Sequence, residues 1–341
     1  MTKLRMGVIG AGLWGNNHAH TFNVLPETEL VGVCDIDEGR AQKMKESSGA
    51  SVALTDYNAL IARDDIDAVS VATPDFTHTP IILAALKANK HVLSEKPLAT
   101  TVGEAEQIVE AAAASKGKLM IDFHNRVNPI LAQVKTMVES GEIGLPKHGM
   151  TRLSNTTFVP FDMLSWASKS SALWFLGSHL VDILRFVLGD EVGRVYAVTR
   201  DGTLKAGGVD TKDFHLCILE FSKGTVVTME NSWILSRDNP SLVDFKLELV
   251  GEKGQIQADP THNGGLRRMV EGGLRYSDYI GMTPTGSTRI GGFVLESIGR
   301  FVDSVVRGEP LLADAMDGLA NTKILAAIEQ SASSGQAVDI A

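Results

Sequence analysis

The sequence has few of the features that mark secreted, membrane or nucleic-acid-binding proteins. It has two cysteines in 341 residues. Cys34 falls in a predicted buried strand, which indicates a packed thiol rather than half of a disulfide. No run of 18 apolar residues is present, and no signal-peptide segment precedes the first strand. The formal net charge of −9 argues against a nucleic-acid surface. We therefore expect a cytoplasmic protein with no membrane or nucleic-acid partner.

A glycine-rich turn near the N-terminus carries the first functional signal. Gly10, Gly12 and Gly15 form the pattern G-x-G-x-x-G after a short apolar strand and before a helix-like stretch. In a dinucleotide fold the first glycine permits the tight turn, the second lets the backbone approach a pyrophosphate, and the third lets helix and strand pack closely. The helix N-terminus then offers free N–H groups to the phosphates. A second apolar strand ends on Asp35, 20 residues after Gly15, where such a fold places its ribose-binding acid.

Asp35 also bears on the choice of cofactor. Its carboxylate can accept hydrogen bonds from the ribose 2′-OH and would repel a 2′-phosphate, and Asp37 adds to that effect. The sequence therefore favours NAD, while Arg40 keeps NADP open as the weaker alternative. The other expected cofactor contacts in this region are the neighbours of these motifs, Leu13, Trp14 and Ile36. The competing interpretation is that the glycines are ordinary turn residues.

The order of the predicted elements indicates an α/β protein with two domains. Strands and helices alternate through residue 123, which predicts a doubly wound parallel sheet of the Rossmann type in domain 1–123. Beyond residue 124, a strongly apolar helix is followed by long strands that alternate in hydrophobicity. This pattern predicts an α/β domain over 124–341 with an open, mostly antiparallel sheet and helices on one face. Residues 259–290 are rich in glycine and poorly patterned, and we expect a loop there.

Several motifs resemble those of one enzyme family. They are the turn GAGLWG with Asp35, the segments VATPDFTH (71–78) and HVLSEKPLATT (91–101), the pattern Gly177-x-His179-x-x-Asp182, and LELVGEKGQI (247–256). In these motifs the chain resembles the Gfo/Idh/MocA oxidoreductases nearly end to end. The resemblance implies a Rossmann domain, a C-terminal α/β domain for substrate binding and oligomerisation, and a homodimer or homotetramer formed through the open sheet. It also implies an NAD-dependent dehydrogenase that oxidises a secondary hydroxyl of a sugar, sugar derivative or cyclic polyol, with hydride passing to nicotinamide C4.

The resemblance assigns the proton chemistry to two residues. Lys96 of Glu95-Lys96-Pro97 matches the family lysine between nicotinamide and substrate, and His179 matches the histidine that acts with it on the reacting hydroxyl. A lysine at the carboxyl end of a parallel strand lies at the ligand crevice, where burial would lower its pKa and let it exchange protons. We expect Glu95 to orient Lys96. We expect Asp182, three residues after His179, to bind substrate hydroxyls or steer the imidazole. The alternatives are a solvated lysine and a histidine that only caps its helix.

The sequence departs from the family at one position. Many members read D-x-G-x-H-x-x-D, and Phe175 replaces the first aspartate here. Either Lys96 and His179 suffice, or another acid substitutes. Asp162 is the candidate, and a solvated loop aspartate is the favoured alternative. The departure keeps open an NAD-dependent glycosidase or eliminating enzyme without net redox change. A non-catalytic dinucleotide-binding sensor is a further alternative, although Lys96 and His179, whose loss would indicate one, are both present.

Further contacts follow from the resemblance. Thr73, Pro74 and His78 match positions on the ribose and nicotinamide side of the cofactor, although His78 can equally be a helix-start residue. Asn125 and Arg126 begin the crossover between the domains, where family members often place polar residues at the mouth of the site. We therefore expect both to contact the substrate.

The last candidates are two tryptophans for the substrate pocket and the residue types that could bind a metal. Trp166 and Trp174 can form an apolar wall for the non-polar face of a sugar ring, or they can be core tryptophans, and the sequence does not separate the two. Histidine, aspartate and glutamate show no tight metal-ligand spacing, so we expect no bound metal.

Overall fold

The computed structural model describes residues 3–261 and 292–340, together with the backbone of residues 267–270 and 273–276. The chain forms two compact units. The first comprises residues 1–124 and 280–320, and the second comprises residues 125–279 and 321–341. None of the described helices is long and apolar enough to span a bilayer.

The first unit is a parallel sheet of six strands with helices packed against both faces. The strands are β1 (Leu4–Ile9), β2 (Thr28–Cys34), β3 (Val52–Leu54), β4 (Ala68–Val71), β5 (His91–Ser94) and β6 (Leu119–Ile121), in the order 3-2-1-4-5-6. The helices are α1 (Leu13–Val24), α2 (Glu38–Ser48), α3 (Tyr57–Ile61), α4 (His78–Lys87), α5 (Val102–Ala114) and α9 (Phe293–Val306). The predicted doubly wound parallel sheet is confirmed.

The two faces of this sheet build two separate cores. Val8 of β1 is buried in one core with Phe22 and Phe301, whereas the next residue, Ile9, is buried in the other. Both faces are covered, so the strands are nearly continuous apolar runs.

Helix α9 contributes Phe301 to the first of these cores, so residues 293–306 group with the first unit. The predicted domain boundary had assigned them to the second domain. Sequence order does not reveal which core a late helix joins, because that depends on long-range packing.

The second unit is built on a sheet of seven strands. They are β7 (Pro146–Thr156), β8 (Val192–Arg200), β9 (Phe214–Phe221), β10 (Val226–Leu235), β11 (Val243–Gly251), β12 (Gln255–Ala258) and β15 (Val338–Asp339), in the order 12-11-7-10-9-8-15. Only the β7–β10 pair is parallel among these described strands, so the predicted mostly antiparallel sheet is confirmed. The helices are α6 (Pro129–Glu139), α7 (Ser178–Leu188), α8 (Thr203–Ala206) and the part of α10 (Ala315–Ser334) from residue 321 onwards.

One face of this sheet packs on helices and the other is open. Leu219 of β9 is buried in the same core as Leu180 of α7, whereas its strand neighbours Leu216 and Ile218 are 47% and 40% exposed. Tyr196 of β8 lies opposite Ile218 in the strand pairing and is also exposed. The open face therefore carries a cluster of apolar side chains.

The predicted loop over 259–290 contains a short antiparallel hairpin, β13 (Arg267–Val270) and β14 (Gly273–Tyr276). Apart from this hairpin and residues 259–261, that segment lies outside the described residues.

Candidate active site

The glycine-rich turn between β1 and α1 leaves space where a phosphate group can lie. A Cβ atom on Gly10, whose φ is +102°, would lie 2.4 Å from the Ala72 carbonyl oxygen, and one on Gly15 would lie 1.7 Å from the Gly10 oxygen. A Cβ on Gly12 would meet no atom of the described residues within 4 Å. Helix α1 begins after Gly12 without a side-chain cap, so its first N–H groups face this space. A dinucleotide pyrophosphate fits these donors.

The carboxylate of Asp35 follows β2 and is oriented by the backbone of this region. Its Oδ2 accepts the Ala11 N–H at 2.8 Å and its Oδ1 accepts the Asp37 N–H at 2.9 Å. The Arg40 Nη2 atom lies 3.1 Å from Oδ1. Oδ2 therefore retains a lone pair that can accept a ribose hydroxyl. This arrangement fits the ribose of NAD, and Arg40 neutralises part of the carboxylate charge.

The neighbouring cofactor candidates differ in exposure. Leu13 and Ile36 are 65% and 89% exposed on either side of the turn, and both are apolar side chains open to a ligand. Trp14 is half-buried, and its ring centroid lies 5.4 Å from that of His124. Their contacts with a cofactor remain a prediction.

The candidates after β4 form a hydrogen-bonded cluster. The Thr77 hydroxyl donates to the Thr73 hydroxyl at 2.8 Å. The buried His78 side chain lies 2.8 Å from the Pro97 carbonyl oxygen through Nδ1 and 3.0 Å from the Thr73 oxygen through Nε2. His78 therefore ties the segment after β4, which contains Pro74, to the segment after β5. This contact explains the histidine structurally, and its predicted cofactor contact remains a prediction.

Lys96 follows β5 and is buried, with 6% of its surface exposed, so it is not a solvated surface lysine. The Lys96–Pro97 peptide bond is cis. Burial lowers the pKa of the Lys96 amine below its usual value, and the charges of Glu95, Asp75 and Asp122 oppose that shift only in part. A lysine with a lowered pKa at a strand end is suited to accept a proton.

Glu95, which the sequence predicts to orient Lys96, contacts a histidine that the sequence analysis did not single out. His18 of α1 is fully buried, and its Nε2 lies 3.2 Å from Glu95 Oε1 and 3.5 Å from Asp122 Oδ2. Its Nδ1 lies 2.7 Å from the Ser70 hydroxyl of β4. Glu95 Oε2 also accepts the Lys96 backbone N–H at 3.3 Å.

The charges in this cluster shift one another. Burial would raise the pKa of Glu95, but the hydrogen bond and charge of His18 lower it to about 2. Burial and the neighbouring Glu95 charge raise the pKa of Asp122 to about 7. Burial works against protonation of His18, yet Glu95 raises its pKa overall. Burial lowers the pKa of the adjacent His124 to about 4.

A metal ion could be bound by side chains of histidine, cysteine, aspartate or glutamate that lie close together. Within the described residues, His18, Glu95 and Asp122 form the one such group. Their hydrogen-bond and ion-pair spacings explain that closeness, and the expected absence of a metal remains a prediction. A sequence signal existed: His18 lies three residues after Gly15, and Asp122 follows the sixth strand.

In the second unit, two predicted substrate residues bind each other. Arg126 donates to Asp182 through Nη2 at 2.6 Å and through Nε at 2.9 Å, and both side chains are buried. The Arg126 guanidinium also lies 5.2 Å from the Phe186 ring centre. Asn125 is buried beside Arg126 in the chain. The expected substrate contacts of these three residues remain predictions.

His179 and Asp182 both lie on α7, as the sequence predicted. The helix follows a π-helical turn, Leu173–Gly177, and both side chains are buried. The Asn321 side chain donates to the Ser178 carbonyl at 2.8 Å, at the N-terminus of α7.

Phe175, the residue in place of the family aspartate, belongs to an aromatic cluster. Its ring lies 6.0 Å from Trp166 and 5.8 Å from Trp233, measured between centroids. Trp233 of β10 was missed because its strand pattern gives no sign of its partner. Trp174 instead donates through its indole N–H to Glu329 at 2.8 Å and is buried, as in the alternative of a core tryptophan.

Asp162, the candidate substitute acid, lies in a π-helical turn, Val159–Met163, at the surface and pairs with Arg237. This exposed pairing agrees with the alternative of a surface aspartate.

The fold and the phosphate-binding turn of the first unit define a dinucleotide-binding oxidoreductase. Residues 4–123 match the family model described as "Oxidoreductase family, NAD-binding Rossmann fold", and residues 131–257 match the "GFO/IDH/MocA C-terminal domain". The chain belongs to this GFO/IDH/MocA oxidoreductase family, and NAD is its cofactor.

Three relatives illustrate the similarity. The chain is 30% identical to the myo-inositol 2-dehydrogenase of Thermotoga maritima over 92% of both chains. It is 31% identical to the inositol 2-dehydrogenase of Rubrobacter xylanophilus over 98% of this chain and 92% of the relative. The crystal structure of GenD2 from gentamicin A biosynthesis in complex with NAD has a TM-score of 0.88 and 25% identity, covering 100% of this chain and 97% of that one. The predicted enzyme class, an NAD(P)-dependent oxidoreductase acting on CH–OH groups, is confirmed by the family and the two dehydrogenases.

Proposed function

We propose that the protein is an NAD-dependent dehydrogenase that oxidises a secondary hydroxyl of a cyclic polyol of the inositol kind. The observation that carries the proposal is the buried Lys96 beyond β5, whose pKa burial lowers. An amine with a lowered pKa at a strand end of a dinucleotide-binding sheet is suited to accept the hydroxyl proton. The two inositol dehydrogenase relatives support the substrate class.

The chain's residues divide the work of the reaction. The turn at Gly12 and the N-terminus of α1 bind the cofactor phosphates, and Asp35 accepts the ribose hydroxyls. NAD, when bound, supplies the hydride acceptor at nicotinamide C4. The proton of the reacting hydroxyl passes to Lys96 or His179. Because Phe175 replaces the usual aspartate, Lys96 and His179 perform this step without a third acid.

The Arg126–Asp182 pair contributes to substrate binding. Arg126 donates to both oxygens of Asp182 and so fixes the orientation of the carboxylate. In this proposal the oriented carboxylate accepts a substrate hydroxyl. Asn125 adds an amide beside this pair.

A spectrophotometric assay tests the proposal. The purified chain is mixed with NAD or, separately, NADP and with inositols, aldoses, uronates or deoxy sugars, and absorbance of the reduced nicotinamide is followed. We expect reduction of NAD with an inositol and loss of that signal in Lys96→Ala. Tight NAD binding with no reduction by any compound would reject the dehydrogenase. Turnover of a glycoside with no net reduced nicotinamide would favour the glycosidase alternative, for which the Phe175 departure is the specific observation.

The proposal extends to assembly and location. We infer a cytoplasmic homodimer or homotetramer that forms through the open sheet face, because exposed Tyr196, Leu216 and Ile218 form an apolar surface there. Light scattering after size-exclusion chromatography should give a multiple of 36.6 kDa. Leu216→Glu should lower that mass, and Glu220→Gln on the same strand should not. A monomeric wild type would reject this assembly.

A further inference from the structure

A cluster of three buried ionisable side chains lies beside the segment that carries Lys96, and none of them accepts the substrate proton in the proposed reaction. His18 comes from α1, Glu95 follows β5 and Asp122 follows β6. Each is 4% exposed or less. Burying an ionisable group costs free energy unless a neighbouring group compensates its charge. Three such groups in one cluster therefore indicate a functional role.

The hydrogen bonds of His18 specify where its protons lie. Its Nε2 approaches two carboxylates, Glu95 at 3.2 Å and Asp122 at 3.5 Å, and ionised carboxylates only accept. Nε2 must therefore carry a hydrogen. Its Nδ1 contacts the Ser70 hydroxyl at 2.7 Å, which can either donate or accept. His18 can gain or lose its second proton without breaking a contact.

The two carboxylates have unequal partners. Glu95 receives the His18 hydrogen bond and the Lys96 backbone N–H. Asp122 Oδ1 accepts the Ser297 hydroxyl of α9, but its buried Oδ2 accepts no hydrogen bond from the described residues. An anion without donors on one oxygen is more easily protonated, in agreement with the pKa of about 7 that burial and Glu95 impose on Asp122.

These groups also act on Lys96. The negative charges of Glu95, Asp75 and Asp122 each raise the pKa of the Lys96 amine that burial lowers. His124 feels the Lys96 charge in turn. Glu95 stays ionised beside His18, so of the two carboxylates Asp122 is the one that takes up a proton more easily.

We propose that Asp122, which lies beside His18 and Glu95, is the group of this cluster that exchanges a proton, and that its ionisation controls the charge beside Lys96. His18 and Asp122 are positioning residues, because they act through Lys96 rather than on the substrate. Ionised Asp122 favours the protonated form of Lys96, so the lysine loses its proton at higher pH than it would beside Glu95 and Asp75 alone. The inference rests on the proposed function only in that Lys96 is the base.

The first test measures Lys96 directly, without turnover. The full-length protein with NAD is labelled at lysine ¹³Cε, Lys96→Met assigns the resonance, and its shift is followed against pH. In the wild type we expect a curve broader than a one-proton titration, with a first step near pH 7 from Asp122. A simple one-proton curve overturns the proposed control of Lys96 by Asp122. This measurement needs no variant of the cluster.

The second test uses Asp122→Asn, which preserves the shape of the side chain and removes its charge. We expect the Lys96 titration to lose its first step and its midpoint to fall by roughly 0.5 to 1 pH unit, less than the ~1–3 units of a directly paired charge. Asp64→Asn, an exposed acid of the same unit, should leave the curve unchanged. An unchanged midpoint in Asp122→Asn overturns the inference.

Kinetics then separate the inference from the proposed function. The rising limb of kcat/KM against pH should shift to lower pH by the same amount in Asp122→Asn, whereas a merely structural role would lower activity without moving the limb. Absence of dehydrogenase activity together with the NMR shift would reject the proposed function but support the control of Lys96 by Asp122. Dehydrogenase activity without a shift of the NMR midpoint or of the kcat/KM limb in Asp122→Asn would reject the control of Lys96 by Asp122 and leave the proposed function unaffected.

Discussion

Arg126 and Asp182 form a buried, two-point ion pair, with Nη2 and Nε of the arginine 2.6 Å and 2.9 Å from the carboxylate oxygens. Each residue on its own suggests a contact with substrate hydroxyls. Together they form a unit in which the charge of each one makes burial of the other tolerable. Any substitution of one partner therefore acts on stability as well as on binding.

Removing one partner should destabilise the protein strongly. Asp182→Ala removes the carboxylate that compensates the buried charge of Arg126, and we expect the free energy of unfolding to fall by about 3–5 kcal/mol. Urea denaturation followed by circular dichroism measures this. The double variant Arg126→Met/Asp182→Leu should recover much of the loss. If Asp182→Ala is as stable as the wild type, the pair is not compensating buried charge.

Two glycines of the phosphate-binding turn should respond differently to the same change. A Cβ on Gly12 enters open space, so Gly12→Ala should fold normally. Its methyl group would occupy the space of the pyrophosphate. We therefore expect NAD binding to weaken by roughly tenfold or more, about 1.4 kcal/mol.

Gly15→Ala is the matched comparison, since its Cβ would lie 1.7 Å from the Gly10 oxygen and must displace the turn. We expect a lower melting temperature in this variant. Calorimetry and isothermal titration with NAD separate the two effects. Normal NAD affinity in Gly12→Ala would mean that the phosphates lie elsewhere.

Asp35 should determine the preference for NAD. Asp35→Ser removes the carboxylate that repels a 2′-phosphate and releases Arg40, which lies 3.1 Å from it, to bind that phosphate. We expect the NAD to NADP ratio of kcat/KM to fall by roughly two orders of magnitude, about 2.7 kcal/mol. Asp37→Ser, two residues on, should change the ratio far less. An unchanged ratio in Asp35→Ser would place the ribose away from β2.

Lys96 should make both activity and stability rise with pH. Burial depresses its pKa in the folded protein, so the neutral amine forms below pH 10.5 and kcat/KM should rise with pH up to a plateau. Between the folded and the unfolded pKa, the unfolded chain binds more protons, so the free energy of unfolding rises with pH across this window.

Lys96→Met removes both effects. It should lose ~10²–10⁴-fold in rate, yet unfold at a higher temperature than the wild type at pH 7, because folding no longer has to bury an amine. Differential scanning calorimetry at pH 7 and near pH 10 checks the sign. A variant that is less stable than the wild type at pH 7 would show that Lys96 is held charged in the fold.

The fold and the cofactor side of the site were predictable from the sequence because their signals are local. The spacing of Gly10, Gly12 and Gly15 and the position of Asp35 follow from one strand–helix–strand unit. The lysine after β5 was found through a motif of adjacent residues. His179 and Asp182 were placed on one helix by their spacing alone.

The sequence by itself determined the two sheet types, the NAD-binding turn and the burial of Lys96 at a strand end, since hydrophobic periodicity and turn chemistry act over a few residues. Only the tertiary structure decided the partners: His18 with Glu95 and Asp122, Arg126 with Asp182, and α9 with the first sheet. These residues are distant in the chain, and a charge is stabilised or shifted by the groups that folding brings within a few ångströms of it. Pairing of this kind leaves no periodic trace in the sequence.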